Sequence, residues 1–332
     1  PKVKGLSVGA LVRYNLYDNY GKDWYANESG VGPVWDWNND PIDLGKPRLS
    51  EKVDRSNEIT TEFRIDYNRT FAEAHTIGAT AVFNSWQYDS NNLGASRKEY
   101  ETGVIEQING GPSSTAENSG TANEHGRMGL VGRVKYDYKM RYLLGFSFRY
   151  DGSDKFPKNK RWGFFPSIEA GWNVDKEPFM TPILEQGWLD GFKLRFSWGK
   201  IGLDNVDDFA YLAVYKKGHD FYEGNLWNST LYEGGLVSQD LTWYTRNTIN
   251  IGVDAEFFKR RLTLGFDYFY YRTTGYLASP QDQYTTPLGT GLPKIKTNSA
   301  HRRAGYELNM NWSDKIGRDF SYNVGFNLSQ YD

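Results

Sequence analysis

Glu58-Ile59-Thr60-Thr61-Glu62-Phe63-Arg64-Ile65-Asp66-Tyr67-Asn68 is the stretch that decides the fold. Ile59, Thr61, Phe63, Ile65 and Tyr67 fall on one side of an extended backbone. Glu58, Thr60, Glu62, Arg64, Asp66 and Asn68 fall on the other. A helix would scatter both sets around its circumference, whereas a strand separates them because side chains alternate with period two.

The same alternation recurs along the chain. Val134, Tyr136 and Tyr138 alternate with Arg133, Lys135 and Asp137. Phe192, Leu194, Phe196 and Trp198 alternate with Lys193, Arg195 and Ser197. Ile249, Ile251, Val253, Ala255 and Phe257 alternate with Asn250, Asp254 and Glu256, and similar runs cover Tyr142–Asp151, Arg303–Trp312 and Phe320–Leu328. Less regular runs lie near Leu6–Tyr14, Thr76–Tyr88, Phe164–Val174 and Leu262–Thr273. The pattern predicts about 11 strands, most of ten residues or more, where strands of soluble proteins average roughly 5 to 6 and membrane-spanning strands need roughly 9 to 11.

Composition narrows the class. The 332 residues hold 39 Lys and Arg against 41 Asp and Glu, a formal charge of −2, which gives no electrostatic case for a nucleic-acid binder. Cysteine is absent, which removes disulfides, thiolate metal sites and thiol nucleophiles. His75, His125, His219 and His301 are scattered, so no zinc site is expected. Mean hydropathy is −0.68, and no apolar run approaches the roughly 20 residues of a spanning helix. The 11 Trp, 24 Tyr, 19 Phe and 35 Gly suit a large β structure in which only one face of each strand is apolar.

Connection lengths alternate as well. Short turns are expected near 70–75, 139–141, 258–261 and 313–319. Long connections are expected near 15–56, 89–125, 151–161, 200–242 and 274–302, and the link at 175–187 is intermediate, with room for a short helix after Pro178. Long and short connections fall at opposite ends of an up-and-down arrangement, as in outer-membrane barrels with short periplasmic turns and long extracellular loops. The fold class read from the residues is therefore all-β: a transmembrane antiparallel up-and-down β-barrel, with 1–332 as part of one barrel domain. The charge-bearing faces, with Glu62, Arg64, Arg133, Lys135, Asp254 and Glu256, are expected to line a wet lumen.

Several sequence blocks carry a family resemblance. Arg141-Tyr142-Leu143-Leu144, Arg149-Tyr150-Asp151-Gly152-Ser153 and Arg161-Trp162-Gly163-Phe164-Phe165-Pro166-Ser167 come in that order. They are followed by Ala170-Gly171-Trp172, Trp188-Leu189-Asp190, Lys193-Leu194-Arg195, Ser197-Trp198-Gly199, Asn250-Ile251-Gly252-Val253-Asp254 and Gly305-Tyr306-Glu307-Leu308. Their order and spacing resemble the SusC/RagA family of TonB-dependent outer-membrane transporters. One block departs: Gly199-Lys200-Ile201-Gly202-Leu203-Asp204-Asn205 resembles the family's Gly-x-x-Gly-Asn turn with two residues inserted.

The resemblance implies a barrel of about 22 strands, an N-terminal plug, a TonB-box segment, a SusD-like surface lipoprotein as partner, and location in the outer membrane of a Gram-negative bacterium. It implies TonB-driven import of oligosaccharides or peptides and no catalysis. No plug or TonB box is read in this chain, which is expected to be the central part of a longer one. Two other readings stand beside it: a structural subunit of a larger outer-membrane assembly, and a soluble all-β sugar-binding protein.

Candidate contacts lie in the long connections. Trp24, Trp35 and Trp37 in the first, and Tyr222 and Trp227 in the fourth, offer aromatic faces beside carboxylates and amides, as a sugar ring requires. The bland reading is an aromatic core that lets a long loop pack. Asp204, Asp207 and Asp208 are rich in oxygen ligands, but they lack the Gly and terminal Glu of a calcium loop and read first as a solvated turn. No cofactor is expected. Carboxylate pairs such as Asp254 and Glu256 alternate with cations along several strands, which describes a solvated wall rather than a catalytic dyad.

Overall fold

A computed structural model describes residues 3–25, 47–223, 226–278 and 292–332, with side chains outside 219–229. The strands are β1 (Leu6–Tyr25), β2 (Arg48–Phe71), β3 (His75–Arg97), β4 (Glu117–Tyr138), β5 (Tyr142–Ser153), β6 (Trp162–Asn173) and β7 (Leu189–Leu203). There follow β8 (Tyr215–Glu223), β9 (Leu226–Glu233), β10 (Tyr244–Phe257), β11 (Leu262–Thr274), β12 (Leu277–Ala278), β13 (Ile295–Lys296), β14 (Ala300–Ile316) and β15 (Phe320–Tyr331). Eleven of them form one sheet in the order β1-β2-β3-β4-β5-β6-β7-β10-β11-β14-β15. Each strand lies beside its predecessor in that sheet, the up-and-down order that the alternating connections predict. β8 with β9, and β12 with β13, form separate hairpins inside long connections. Among the described residues helix is confined to short turns and to α1 (Thr181–Leu184).

Several expected boundaries move. β1 and β2 continue into 15–56 as far as Tyr25 and from Arg48, and β3 and β4 continue into 89–125 as far as Arg97 and from Glu117. The region 151–161 begins as strand, because Gly152 pairs with Trp162 and the Ser153 amide donates to the Arg161 carbonyl at 3.3 Å. These extensions have no apolar medium to select an apolar face, so they lack the alternation that marks the rest.

The short turns are tight. Ala72 and Glu73, Lys139 and Met140, and the run Phe258, Lys259 and Arg260 all have left-handed backbone, with φ between 47° and 61°. Turns of this hand match the twist of the flanking strands. None carries the Gly or Asn that usually supplies it. Side chains help instead: Asp137 accepts from the Met140 amide at 2.6 Å, and Asp190 from the Arg260 amide at 3.0 Å.

The chain divides into two compact units, residues 1–10, 62–84 and 127–332, and residues 11–61 and 85–126. In the first, register aligns apolar side chains in rows across β7, β10, β11 and β14. They are Trp198–Ile249–Tyr270–Ala304, Phe196–Ile251–Tyr268–Tyr306, Leu194–Val253–Phe266–Leu308 and Phe192–Ala255–Leu264–Met310. A last row ends at Phe257, Leu262 and Trp312. Four steps of two residues cover about 27 Å along the strand, and a tilt of roughly 40° reduces that to about 21 Å, near the apolar band of roughly 25 Å of spanning barrels. Much of this face is exposed, with Ile251 at 51% and Tyr268 at 43%, although Ala255 is buried. An apolar surface this continuous is unsuited to water, which removes the support for a soluble sugar-binding protein.

At the short-turn end this band closes in aromatic rings. Tyr138, Tyr142 and Trp172 follow one another with near-parallel rings 6.3 and 6.5 Å apart. Trp188, Phe257, Phe258 and Trp312 continue the series at 6.2, 6.2 and 6.3 Å. Amphipathic rings favour a membrane interface.

Candidate functional site

The opposite face of the first unit carries charge, and that charge is matched. Arg195 on β7 reaches across β10 and binds two carboxylates. It meets Asp254 through Nε at 2.7 Å and Nη2 at 2.9 Å, and Asp267 through Nη1 at 2.9 Å and Nη2 at 3.0 Å. Gly252 makes this possible. It lies between Arg195 and Asp267 in register, and a Cβ there would stand 2.7 Å from the guanidinium carbon and 2.6 Å from the Asp267 carboxylate. Forked two-point bonds of this kind fix both distance and orientation.

The expected lumen residues occupy this face. Arg64 pairs with Asp66 at 2.5 Å, Thr80 donates to Asp66 at 2.7 Å, and Glu62 stands two residues before Arg64. Arg133 binds Glu169 at 2.7 Å, and Glu256 binds Arg260 at 2.9 Å. Lys135, Glu169, Lys193 and Arg195 border one cleft of about 520 Å³. Sequence reasoning missed Asp267 and Glu169 as partners, because a cation on one strand finds its carboxylate on another, and only register brings them together.

The long-connection end of the same unit is tied into a knot. Phe156 (0% exposed), Val206 and Leu241 form a core against Ala210, Tyr211, Trp243 and Leu277. The Trp243 ring lies 5.3 Å from Phe156 and 5.2 Å from Phe165, and its indole N–H donates to the Arg161 carbonyl at 2.8 Å. Phe165 fills the space above Gly163 and Gly202, where any Cβ would meet the ring. Polar ties surround this core. Lys155 donates to the Val206 carbonyl at 3.0 Å, Thr242 donates to the Lys160 carbonyl at 2.9 Å, and Lys160 pairs with Asp240. The Lys160 ammonium holds the Asp240 carboxyl below its ordinary range.

This knot disperses the acidic cluster. Asp204 accepts from Ser153 Oγ at 2.9 Å and from Arg127 at 2.9 Å, Asp208 faces Lys155 at 3.1 Å, and Asp207 faces Lys294 at 3.5 Å. Each carboxylate has its own cation, and no group of acidic or His side chains able to hold a metal is assembled among the described residues.

The aromatic candidates divide. In the second unit, Trp24 packs edge-on against Tyr100 at 5.1 Å, and Tyr100 is 2% exposed. The Tyr100 hydroxyl donates to the carbonyls of Gln107 and Ile108 at 3.0 and 3.3 Å, and burial pushes its phenol above the usual value. Gly111 lets the chain pass against that ring, since a Cβ would lie 2.8 Å from it. Trp24 is half-buried and joins β1 to the packing of residues 98–116. Tyr222 and Trp227 are register partners in the β8–β9 hairpin. Trp35 and Trp37 lie outside the described residues.

A further carboxylate governs the short-turn end. Glu177, in the link between β6 and β7, accepts from Tyr142 Oη at 2.6 Å and Trp172 Nε1 at 3.0 Å, and faces Arg141 at 3.2 Å. The Tyr142 bond foremost, aided by Trp172 and Arg141 and opposed by burial, lowers its carboxyl below the ordinary 4.5. A depressed carboxyl contributes stability that is complete above its unfolded value and is lost as pH falls through the folded one. Amide exchange of residues 174–188, corrected for intrinsic rates, is therefore expected to accelerate as pH falls below about 4.5. Glu177→Gln is expected to speed it at neutral pH; equal protection in that variant would show that the carboxylate does not hold the link.

The family described as TonB dependent receptor-like, beta-barrel, matches residues 4–332. A TonB-dependent receptor from Formosa agariphila is 31% identical over 294 residues, 87% of this chain and 27% of the relative. The TonB-dependent receptor SusC of Bacteroides thetaiotaomicron is 31% identical over 219 residues, 64% of this chain and 21% of SusC. This chain thus spans about a quarter of the length of these curated relatives. Among solved structures, the RagAB peptide importer in its open-open state aligns over 100% of this chain and 34% of its own, with TM-score 0.83 and 18% identity. Its closed-closed state gives 0.80 at 19% identity, with 99% and 35% covered. At such identity the likeness shows the fold. The chain belongs to the TonB dependent receptor-like β-barrel family, with SusC among its relatives.

Proposed function

We propose that the chain forms part of the barrel of a TonB-dependent active importer in the outer membrane of a Gram-negative bacterium. Its nutrients would be oligosaccharides or peptides, captured with a SusD-like surface lipoprotein. TonB, engaging a segment outside this chain, would displace a plug and open the lumen. No catalysis is involved. The observation that carries the reading is the two-faced sheet: apolar rows of bilayer height on one side, and on the other a charged wall in which Arg64, Arg133 and Arg195 each hold a carboxylate. A wall of matched ions stays hydrated without gripping a passing solute, as transport requires. Glu62, Lys135, Asp254 and Glu256 would line that lumen with them. Trp24, Trp35, Trp37, Tyr222 and Trp227 are the proposed substrate contacts.

The test uses the full-length parent in its own cells. Deleting its gene should abolish uptake of one class of labelled oligosaccharide or peptide, and a proton uncoupler should do the same to wild type. Purification from detergent-solubilised outer membrane should bring down a lipoprotein in equal amount. Unchanged uptake, with assembly proteins in place of the lipoprotein, would replace import by the structural-subunit reading.

A further inference from the structure

The row next to Trp198–Ile249–Tyr270–Ala304, one step toward the long-connection end, is Lys200–Asn247–Arg272–Arg302. By strand parity it lies on the same face as the apolar rows, at the end opposite the aromatic rings of the short turns, with Lys200 and Asn247 half-buried. Arg272 and Arg302 are direct register partners and both are exposed; on the intervening parity Thr273 is buried, Tyr271 and Arg303 are half-buried and His301 is exposed. Four strands at about 4.8 Å spacing make this belt about 14 Å wide. The next row outward, Gly202–Thr245–Thr274–Ala300, is neutral.

Like charges directly opposite on neighbouring strands destabilise a sheet. Arg64, Arg133, Arg149 and Arg195 all hold carboxylates, yet among the described residues Lys200, Arg272 and Arg302 form no ion pair. Positive charge also accumulates beside the belt. The Lys296 ammonium is held below its usual value by burial first, then by Lys160 and Lys200. A cationic belt at the rim of an apolar band, with no carboxylate partner among the described residues, calls for an anion that arrives with the apolar phase. Two guanidinium forks side by side suit a tetrahedral phosphate, to which each can offer two N–H groups.

We propose that Lys200, Asn247, Arg272 and Arg302 form a site for the phosphate of a lipid headgroup, in the leaflet on the long-connection side. The lipid chains lie over the Trp198–Ile249–Tyr270–Ala304 row, and the phosphate is clamped between Arg272 and Arg302. The site depends on this face meeting lipid and is independent of what the lumen carries, so loss of import and loss of lipid binding are separate failures.

The test uses the full-length parent in phosphatidylcholine nanodiscs with and without phosphatidylglycerol. Wild type is expected to melt at a higher temperature with phosphatidylglycerol and to retain that lipid through exchange into neutral detergent. Each charge removed should weaken retention about fivefold, so Arg272→Gln with Arg302→Gln should retain about 25-fold less. That double variant should lose none of its stability in neutral detergent, because a like-charge pair has gone. Arg302→Lys keeps the charge and loses the fork, and it should retain less than wild type even where the double variant fails to fold. Equal phosphatidylglycerol retention in the Gln and Lys variants would overturn the site. Release of the lipid by inorganic phosphate alone would also overturn it, by showing a free-anion site.

Discussion

Gly252→Val is expected to lower the stability of the full-length barrel by about 2 kcal/mol, the scale of stripping a partly solvated ion network of its geometry. The clash itself is mild, because the tip of the Arg195 side chain can swing away from a new Cβ. The cost lies in what the displacement leaves behind. Asp254 and Asp267 share one cation, and Asp267 is only 17% exposed. Moving the guanidinium leaves one carboxylate, or both, without a charge-assisted partner. A cycle separates this cause from a general dislike of a larger side chain in β10. In an Arg195→Met background the network is already absent, so Gly252→Val should cost far less there. Heat-modified gel mobility of the four proteins reads the result. Equal costs in both backgrounds would mean that Gly252 serves backbone packing rather than the Arg195 crossing.

This example also shows how much the residues reveal on their own. Alternation exposed the strands of the sheet from single segments, because each spanning strand must present an apolar face to one medium and a polar face to another. It also located the tight turns, although Ala72-Glu73 and Lys139-Met140 carry no turn-forming residue. Register was partly accessible. Counting outward from the Phe257 and Leu262 pair places Asp267 opposite Gly252, but no such count relates β7 to β10, which 40 intervening residues separate. Strand extensions beyond the apolar band were invisible because water imposes no face. The loop core around Phe156 was invisible for a related reason. Its members come from segments without periodicity and meet only through tertiary packing. The aromatic candidates show the ambiguity: Trp24 suits a loop core or a ligand, and its contact with Tyr100 joins two segments that no sequence pattern relates. Asp204, Asp207 and Asp208 are neighbours in sequence, yet their cations lie on three other segments.

Phe156→Ala is expected to have the largest effect of any single change, about 3 to 5 kcal/mol on the local stability of the loop knot. Phe156 is fully buried, and its ring supports Trp243, which in turn packs on Phe165. Removing the ring leaves a cavity bordered by Val206, Leu241 and Trp243 that rigid strands on either side cannot close. The polar ties do not compensate. Lys160 to Asp240 is an exposed ion pair of the kind that contributes about 0 to 1 kcal/mol, and the part-buried Lys155 bond to the Val206 carbonyl adds about 1.5 kcal/mol. The effect should be local, because the sheet between the loops keeps its register and its apolar rows. Protease added to intact cells should therefore cleave the variant within 204–243, where Lys216 and Lys217 offer sites, while wild type resists. The barrel transition seen by gel mobility should stay within the range of a surface substitution. Phe156→Leu refills most of the volume and should restore most of the resistance. If the alanine variant melts as a whole at the temperature where its loops become cleavable, the knot and the sheet form one cooperative unit. The loops then cannot loosen for a passing solute without opening the wall that holds them.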